Sequence, residues 1–255
     1  MSAPPQFAAA YHYDSNVVGV SSVRASAAAI VPIINDLFHP ESVIDLGCGA
    51  GDWLSVWSEI AGCSIRGFDG AWVPKSSLCI PSSSFNSADF CTKIPDLGSA
   101  DLAMCLEVAE HVPDFTGKGF VAALCQAAPI IIWSAAVPGQ GGYGHINEQY
   151  QDYWVREFAG HGFKPFDLIR PLIWMNSSVS WWYQQNLLIF ASESARQQFR
   201  LADCPMAVSI VHPALYEQKR DPKNYSFRKM IPNILFYLLK GIDFIKSNSG
   251  LIRRS

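Results

Sequence analysis

Near residue 45 the chain reads Ile44-Asp45-Leu46-Gly47-Cys48-Gly49-Ala50-Gly51-Asp52, three alternate glycines bracketed by carboxylates. Glycine admits positive φ and lets a ligand press against bare backbone. A helix opening behind such a turn offers free N–H groups. A dinucleotide-binding turn would be spaced G-x-G-x-x-G, with pyrophosphate on the helix end. Here the spacing is G-x-G-x-G, and Asp45 repels a phosphate while suiting a cationic group. Asp69, 18 residues after Gly51 and followed by Gly70, stands where an acid accepts both hydroxyls of a ribose. Asp89-Phe90 sets a carboxylate beside an aromatic ring, suited to the amino group and face of a base. A solvated turn or a helix cap explains any one of these acids. Four such features in order at strand ends form a ligand-binding series.

A second cluster is Glu107-Val108-Ala109-Glu110-His111, an E-x-x-E-H string. On a helical turn, positions three and four apart share a face, so the three heads can converge. Two carboxylates and an imidazole suit Mg²⁺, Mn²⁺ or a related divalent ion. The competing reading is an E-H pair that caps the turn and lines a pocket without metal. His145, in the loop Gly142-Tyr143-Gly144-His145-Ile146-Asn147, has two readings as well. A neutral imidazole there can take a hydroxyl proton as general base, or it fixes Asn147 or Tyr150. His12, His39, His161 and His212 are read as ordinary surface or helix-end residues. Trp133, Trp154, Trp174, Trp181 and Trp182 are numerous for one domain; they are read mainly as core, with Trp174–Trp182 a candidate acceptor wall.

These residues need a scaffold, and apolar strand-like runs alternate with helix-like stretches, the pattern of a parallel sheet covered on both faces. Helices are expected over Ser22–Phe38, from the glycine turn through Ile60, over Thr116–Ala127 and over Tyr150–Gly160. Strands are expected at Ser42–Leu46, Ser64–Phe68, Ser83–Ser87, Asp101–Cys105 and Pro129–Ser134. Phe163–Arg170 and Gln185–Ala191 read as an antiparallel pair at the sheet edge. Val137–Asn147 is a glycine-rich loop. The partition is residues 1–40 as an N-terminal helical cap, 41–195 as the binding domain, and 196–255 as a C-terminal extension.

Length and composition bound the class. At 255 residues, 49% hydrophobic and 16% charged, the chain is neither disordered nor collagen-like. No apolar run reaches the roughly 18–20 residues of a membrane span, and the first residues lack the pattern of a secretory signal. Seven cysteines form no C-x-x-C pair, which fits a reducing cytoplasm. From Lys219 onward the charge is +7, against −10 for the rest. An acidic body argues against a nucleic-acid partner. Met230–Lys246 carries apolar residues at helical spacing among basic ones. That segment reads as a basic amphipathic helix, docked on its own domain or on a second subunit as a homodimer contact, or lying peripherally on an anionic membrane.

Asp45–Gly51, Asp69, Asp89-Phe90 and Asp101–Pro113 together resemble the successive motifs of class I S-adenosylmethionine-dependent methyltransferases, over about Val43 to Ile189. The resemblance implies a Rossmann-like α/β fold: a seven-stranded, mainly parallel sheet with helices on both faces and the last strand antiparallel. It implies S-adenosylmethionine across the strand ends, held by Asp45, Gly47, Cys48, Gly49, Asp69, Gly70, Asp89, Phe90 and Leu106. It also implies that Tyr11, Tyr13 or Arg24 covers the cofactor. The E-x-x-E-H string is similar to that of ubiquinone-biosynthesis and small-RNA 2′-O-methyltransferases, which implies Mg²⁺ or Mn²⁺ on Glu107, Glu110, His111 and His145. His145 and His111 are then the candidate catalytic residues. The expected reaction is O-methylation of a small-molecule or glycan-type acceptor. The alternatives are an aromatic or quinone-like hydroxyl, or a catalytically silent cofactor-binding protein.

Overall fold

The computed structural model describes residues 20–202 and 209–220. Tyr11, Tyr13 and the Met230–Lys246 helix expected from the sequence lie outside the described residues. The chain divides into two units, Met1–His212 and Pro213–Ser255. Of the second, the described part is a single helix, Pro213–Arg220.

The first unit alternates strand and helix. It begins with α1 (Val20–Phe38), β1 (Ser42–Leu46), α2 (Asp52–Ala61) and β2 (Ser64–Asp69), then β3 (Phe85–Ser87) and β4 (Leu102–Leu106). It continues with α3 (Asp114–Ala127), β5 (Ile130–Ser134), α4 (Gln151–Ala159) and β6 (Lys164–Phe166). Two short helices follow, α5 (Arg170–Ile173) and α6 (Trp181–Asn186), then β7 (Leu188–Ala191) and α7 (Glu193–Gln198). The seven strands form one sheet in the order β3-β2-β1-β4-β5-β7-β6. Only β7 runs antiparallel to its neighbours, β5 and β6.

Strand composition explains the order. β4 (LAMCL) and β5 (IIIWS) are buried along their whole length and stand centrally, as near-continuous apolar strands of a two-faced sheet must. The shorter, more exposed β3 and β6 take the edges. Alternate residues feed two cores. Val43, Leu102, Met104 and Ile132 pack with α1 and α2 through Ile30, Ile34, Leu54 and Trp57. Ile44, Ala103, Cys105 and Trp133 pack with α3 and α4 through Phe120, Leu124, Trp154 and Phe158. Trp133 and Trp154 are therefore core, their rings 4.8 Å apart.

The expected long strand over Phe163–Arg170 is cut short at Phe166. Pro171 at the start of α5 is pre-set for a first helical turn. Likewise, Gln185 and Asn186 close α6 and do not begin β7. Strand order reverses between β1 and β4, and such a switch point opens a crevice at the strand C-termini. The glycine turn and the E-x-x-E-H string follow those two strands.

Candidate functional site

β1 delivers Leu46 into a turn in which Gly47, Gly49 and Gly51 all take positive φ, at 85°, 55° and 90°. Gly47 and Gly51 have no room for a side chain. A Cβ on Gly47 would lie 2.4 Å from Val108 Cγ2, and one on Gly51 2.8 Å from Ile80 Cγ1. Gly47 and Cys48 donate to the Phe68 carbonyl at the end of β2, at 2.7 and 3.1 Å. Asp69 closes the same corner: Oδ2 accepts from Gly49 N–H at 2.7 Å and Oδ1 from Gly70 N–H at 2.6 Å. Trp72 also bonds this carboxylate, and its ring covers Gly70.

Asp45 is the odd member. It is 2% exposed, and its Oδ1 has no hydrogen-bond partner among the described residues. Burial, and then the charge of Asp69, push its carboxyl up to about 8. Burial also raises Asp69, against the donors that face it. Burial, then Asp45 and Asp69, push the Cys48 thiol well up. Bare backbone and two neighbouring buried carboxyls make a receptor for a cation, whose charge favours the ionised form of Asp45.

The next sequence-predicted residues lie outside this arrangement or serve other contacts. Asp89 is exposed and accepts from Cys91 N–H and Thr92 Oγ1, which closes a turn. Phe90 is buried edge-on against Phe120, centroids 5.1 Å apart. Leu106, buried at the end of β4, joins the core that holds Met104 and Trp57. Arg24 bonds Ser55 and Glu59, which ties α1 to α2.

After β4 the backbone turns sharply, with Glu107 at φ 56°, an unusual conformation for a residue with a side chain. Its Oε1 accepts from Asn186 Nδ2 and its Oε2 from Gln140 Nε2, each at 3.0 Å. Gln185 joins this amide cluster through Gln140 Oε1 and Asn186 Oδ1. Burial raises the Glu107 carboxyl even so. A single 3-10 turn, Ala109–His111, then presents Glu110 and His111. The loop after β5 is laid over it, with Ile146 and Asn147 N–H donating to the Glu110 carbonyl at 2.8 and 3.0 Å.

This brings His145 to His111, edge to face with centroids 4.8 Å apart. Ligand atoms of Glu110, His111 and His145 lie within 4.8 Å of one another. Glu110 is 1% exposed, and neither carboxylate oxygen makes a hydrogen bond of good geometry. Burial and then the neighbouring Glu107 hold its carboxyl well above the usual range. Burial, and then His145, lower His111 to about 4, so its imidazole is neutral at physiological pH. Glu107, expected in the same cluster, instead faces the two amides.

Sequence reasoning passed over Glu148, whose Oε1 lies 2.9 Å from His145 Nδ1. It also missed Gln140 and Asn186. The only signal was spacing: Glu148 follows His145 by three residues.

A family model described as a methyltransferase domain matches residues 23–167. No curated protein matches the sequence. Among solved structures, the sugar N-methyltransferase KedS8 from Streptoalloteichus is similar at 13% identity and a TM-score of 0.51, over 66% of this chain and 87% of that one. Human N-acetylserotonin methyltransferase, in complex with SAM, is 18% identical with a TM-score of 0.49, over 70% of this chain. The chain covers 53% of that human protein, about half its length. Magnesium protoporphyrin IX methyltransferase from Synechocystis is 16% identical with a TM-score of 0.49, over 69% of this chain and 81% of that one. The KedS8 likeness is one of fold.

Proposed function

This chain belongs to the methyltransferase-domain family, the class I S-adenosylmethionine-dependent group, and from that membership we propose that it methylates a hydroxyl oxygen of a small or glycan-type acceptor. One observation carries the cofactor reading. Asp45 buries an unpartnered oxygen beside Asp69, just before a turn whose three glycines leave the backbone bare. Such a corner is matched by a ligand with a cationic amino acid at one end and ribose hydroxyls at the other.

In this reading Asp45 and the backbone of Gly47, Cys48 and Gly49 hold the cationic amino-acid end. Asp69 and Gly70 face the ribose. For the base the candidates stay those that the resemblance implies, Asp89, Phe90 and Leu106. The acceptor oxygen forms the new O–CH₃ bond as the S–CH₃ bond breaks, its electron pair remaining on sulfur. The hydroxyl proton passes to His145, and His111 lies beside it as a second imidazole. Much of the rate comes from holding acceptor and methyl in line. Six described cysteines are all unpaired, which supports a reducing, cytoplasmic setting. No described helix is long and apolar enough to cross a membrane.

A second reading of the histidines is favoured by the two unpartnered oxygens of Glu110. Glu110, His111 and His145 would hold a divalent ion, Mn²⁺ more readily than Mg²⁺ given two imidazoles. When bound, that ion lowers the pKa of the acceptor hydroxyl.

The function is tested by titrating S-adenosylmethionine calorimetrically and screening acceptors with a radiolabelled methyl donor. Label transfer to sugars or small alcohols is the expected result. Transfer only to quinone-like or phenolic hydroxyls moves the acceptor class, and binding without any transfer marks a silent cofactor-binding protein.

A further inference from the structure

The geometry points to Glu148 as a positioning residue that fixes His145 in its Nδ1–H form, so that Nε2 is the nitrogen that works. The inference rests on the reading in which His145 acts, but holds whether its task is to take a proton or to bind an ion.

The loop builds the carboxylate a seat before it meets the ring. Glu148 Oε2 accepts from Gly139 N–H at 2.7 Å, and Oε1 from Gly141 N–H at 2.6 Å. Both glycines lie at positive φ, 86° and 70°, and their two N–H groups converge on one anion. To this seated carboxylate His145 adds Nδ1 at 2.9 Å, with the two side chains only 11% and 19% exposed. An ionised carboxylate only accepts, so the hydrogen in that bond belongs to Nδ1. In the neutral ring the lone pair then falls on Nε2.

The ring is seated against the bare backbone of Gly142. A Cβ on Gly142 would stand 2.2 Å from His145 Nε2, so a side chain there would displace the ring. The opposite tautomer would point N–H where a lone pair is required. It could neither receive a hydroxyl proton nor bind a metal. A carboxylate holding the far nitrogen of a working histidine orients the ring as well as selecting its form.

The test is a ¹⁵N–¹H correlation spectrum of histidine-labelled, cofactor-free protein, with His145 assigned by the loss of its signals in His145→Gln. The expected result is a protonated Nδ1 and a bare Nε2; a protonated Nε2 in the native chain overturns the inference. In a second arm, Glu148→Gln replaces an acceptor with an amide whose NH₂ must face a glycine N–H. It should shift the tautomer and lower kcat about 10–100-fold on an acceptor found by screening, leaving the Kd for S-adenosylmethionine unchanged. Retention of both native tautomer and kcat in Glu148→Gln also overturns it. The spectrum needs neither cofactor nor acceptor. A protein that failed to bind S-adenosylmethionine would sink the functional reading while leaving the tautomer decided.

Discussion

Asp69 clasps the glycine turn through Gly49, its Oδ2 accepting that N–H at 2.7 Å across 20 residues of sequence. One carboxylate thus shapes the turn and, in the proposed reading, also meets the ribose. Asp69→Ala should weaken S-adenosylmethionine binding by roughly 1.5–3 kcal/mol, the range for hydrogen bonds to a charged group. Calorimetric titration reads this directly, and an unchanged Kd removes Asp69 from the ribose.

Asp45 carries a proton up to about pH 8, because of burial first and Asp69 second. Its folded pKa stands above the ordinary 3.8, so the folded chain binds the extra proton and stability falls as pH rises through about 8. His111, lowered from 6.5 to about 4, works in the other direction only below pH 6.5. Between pH 6.5 and 8 the decline therefore belongs to the buried carboxylates. Thermal melts should show Tm falling across that window, and Asp45→Asn should shrink the fall. A cationic ligand favours the ionised form, so its binding near pH 7 should release a proton. Heats that agree in buffers of different ionisation enthalpy would count against Asp45 as the receptor.

Gly47→Ala should fail twice over. The residue would sit at φ 85° with its Cβ 2.4 Å from Val108, and the left-handed conformation alone costs about 1–2 kcal/mol. The expected outcome is a lower Tm together with lost cofactor binding. A variant with native Tm and native affinity would show that the turn does not need a bare backbone.

If an ion sits on Glu110, His111 and His145, EDTA should suppress turnover and Mn²⁺ should restore it. Full activity after metal stripping leaves His145 as the proton acceptor, and the unpartnered Glu110 oxygens then call for another explanation.

Much of the scaffold was legible because its signals are local. β1 appears at Ser42–Leu46 as read, and α1, α2, α3 and α4 fall within two residues of the expected bounds or closer. Apolar strands, a glycine turn and a proline leave marks within a few residues. The segment between β6 and β7 was harder. α5 and α6 are short, and α6 carries Trp181, Trp182, Gln184 and Gln185 with no clean period. Their purpose is long-range: Asn186 reaches Glu107 across 79 residues, and no local pattern encodes that. The tryptophans mislead for a related reason. Composition counts them, but only the packed sheet shows Trp133 and Trp154 at the core and Trp174 near His212.

The placement of β7 sets a condition on the order of assembly. β6 pairs with β7 alone, and β7 also pairs with β5. As the chain emerges from the ribosome, the far edge of the sheet stays open until residue 191 is available. Through that interval the buried strand β5 exposes a row of unsatisfied backbone groups to any neighbouring strand.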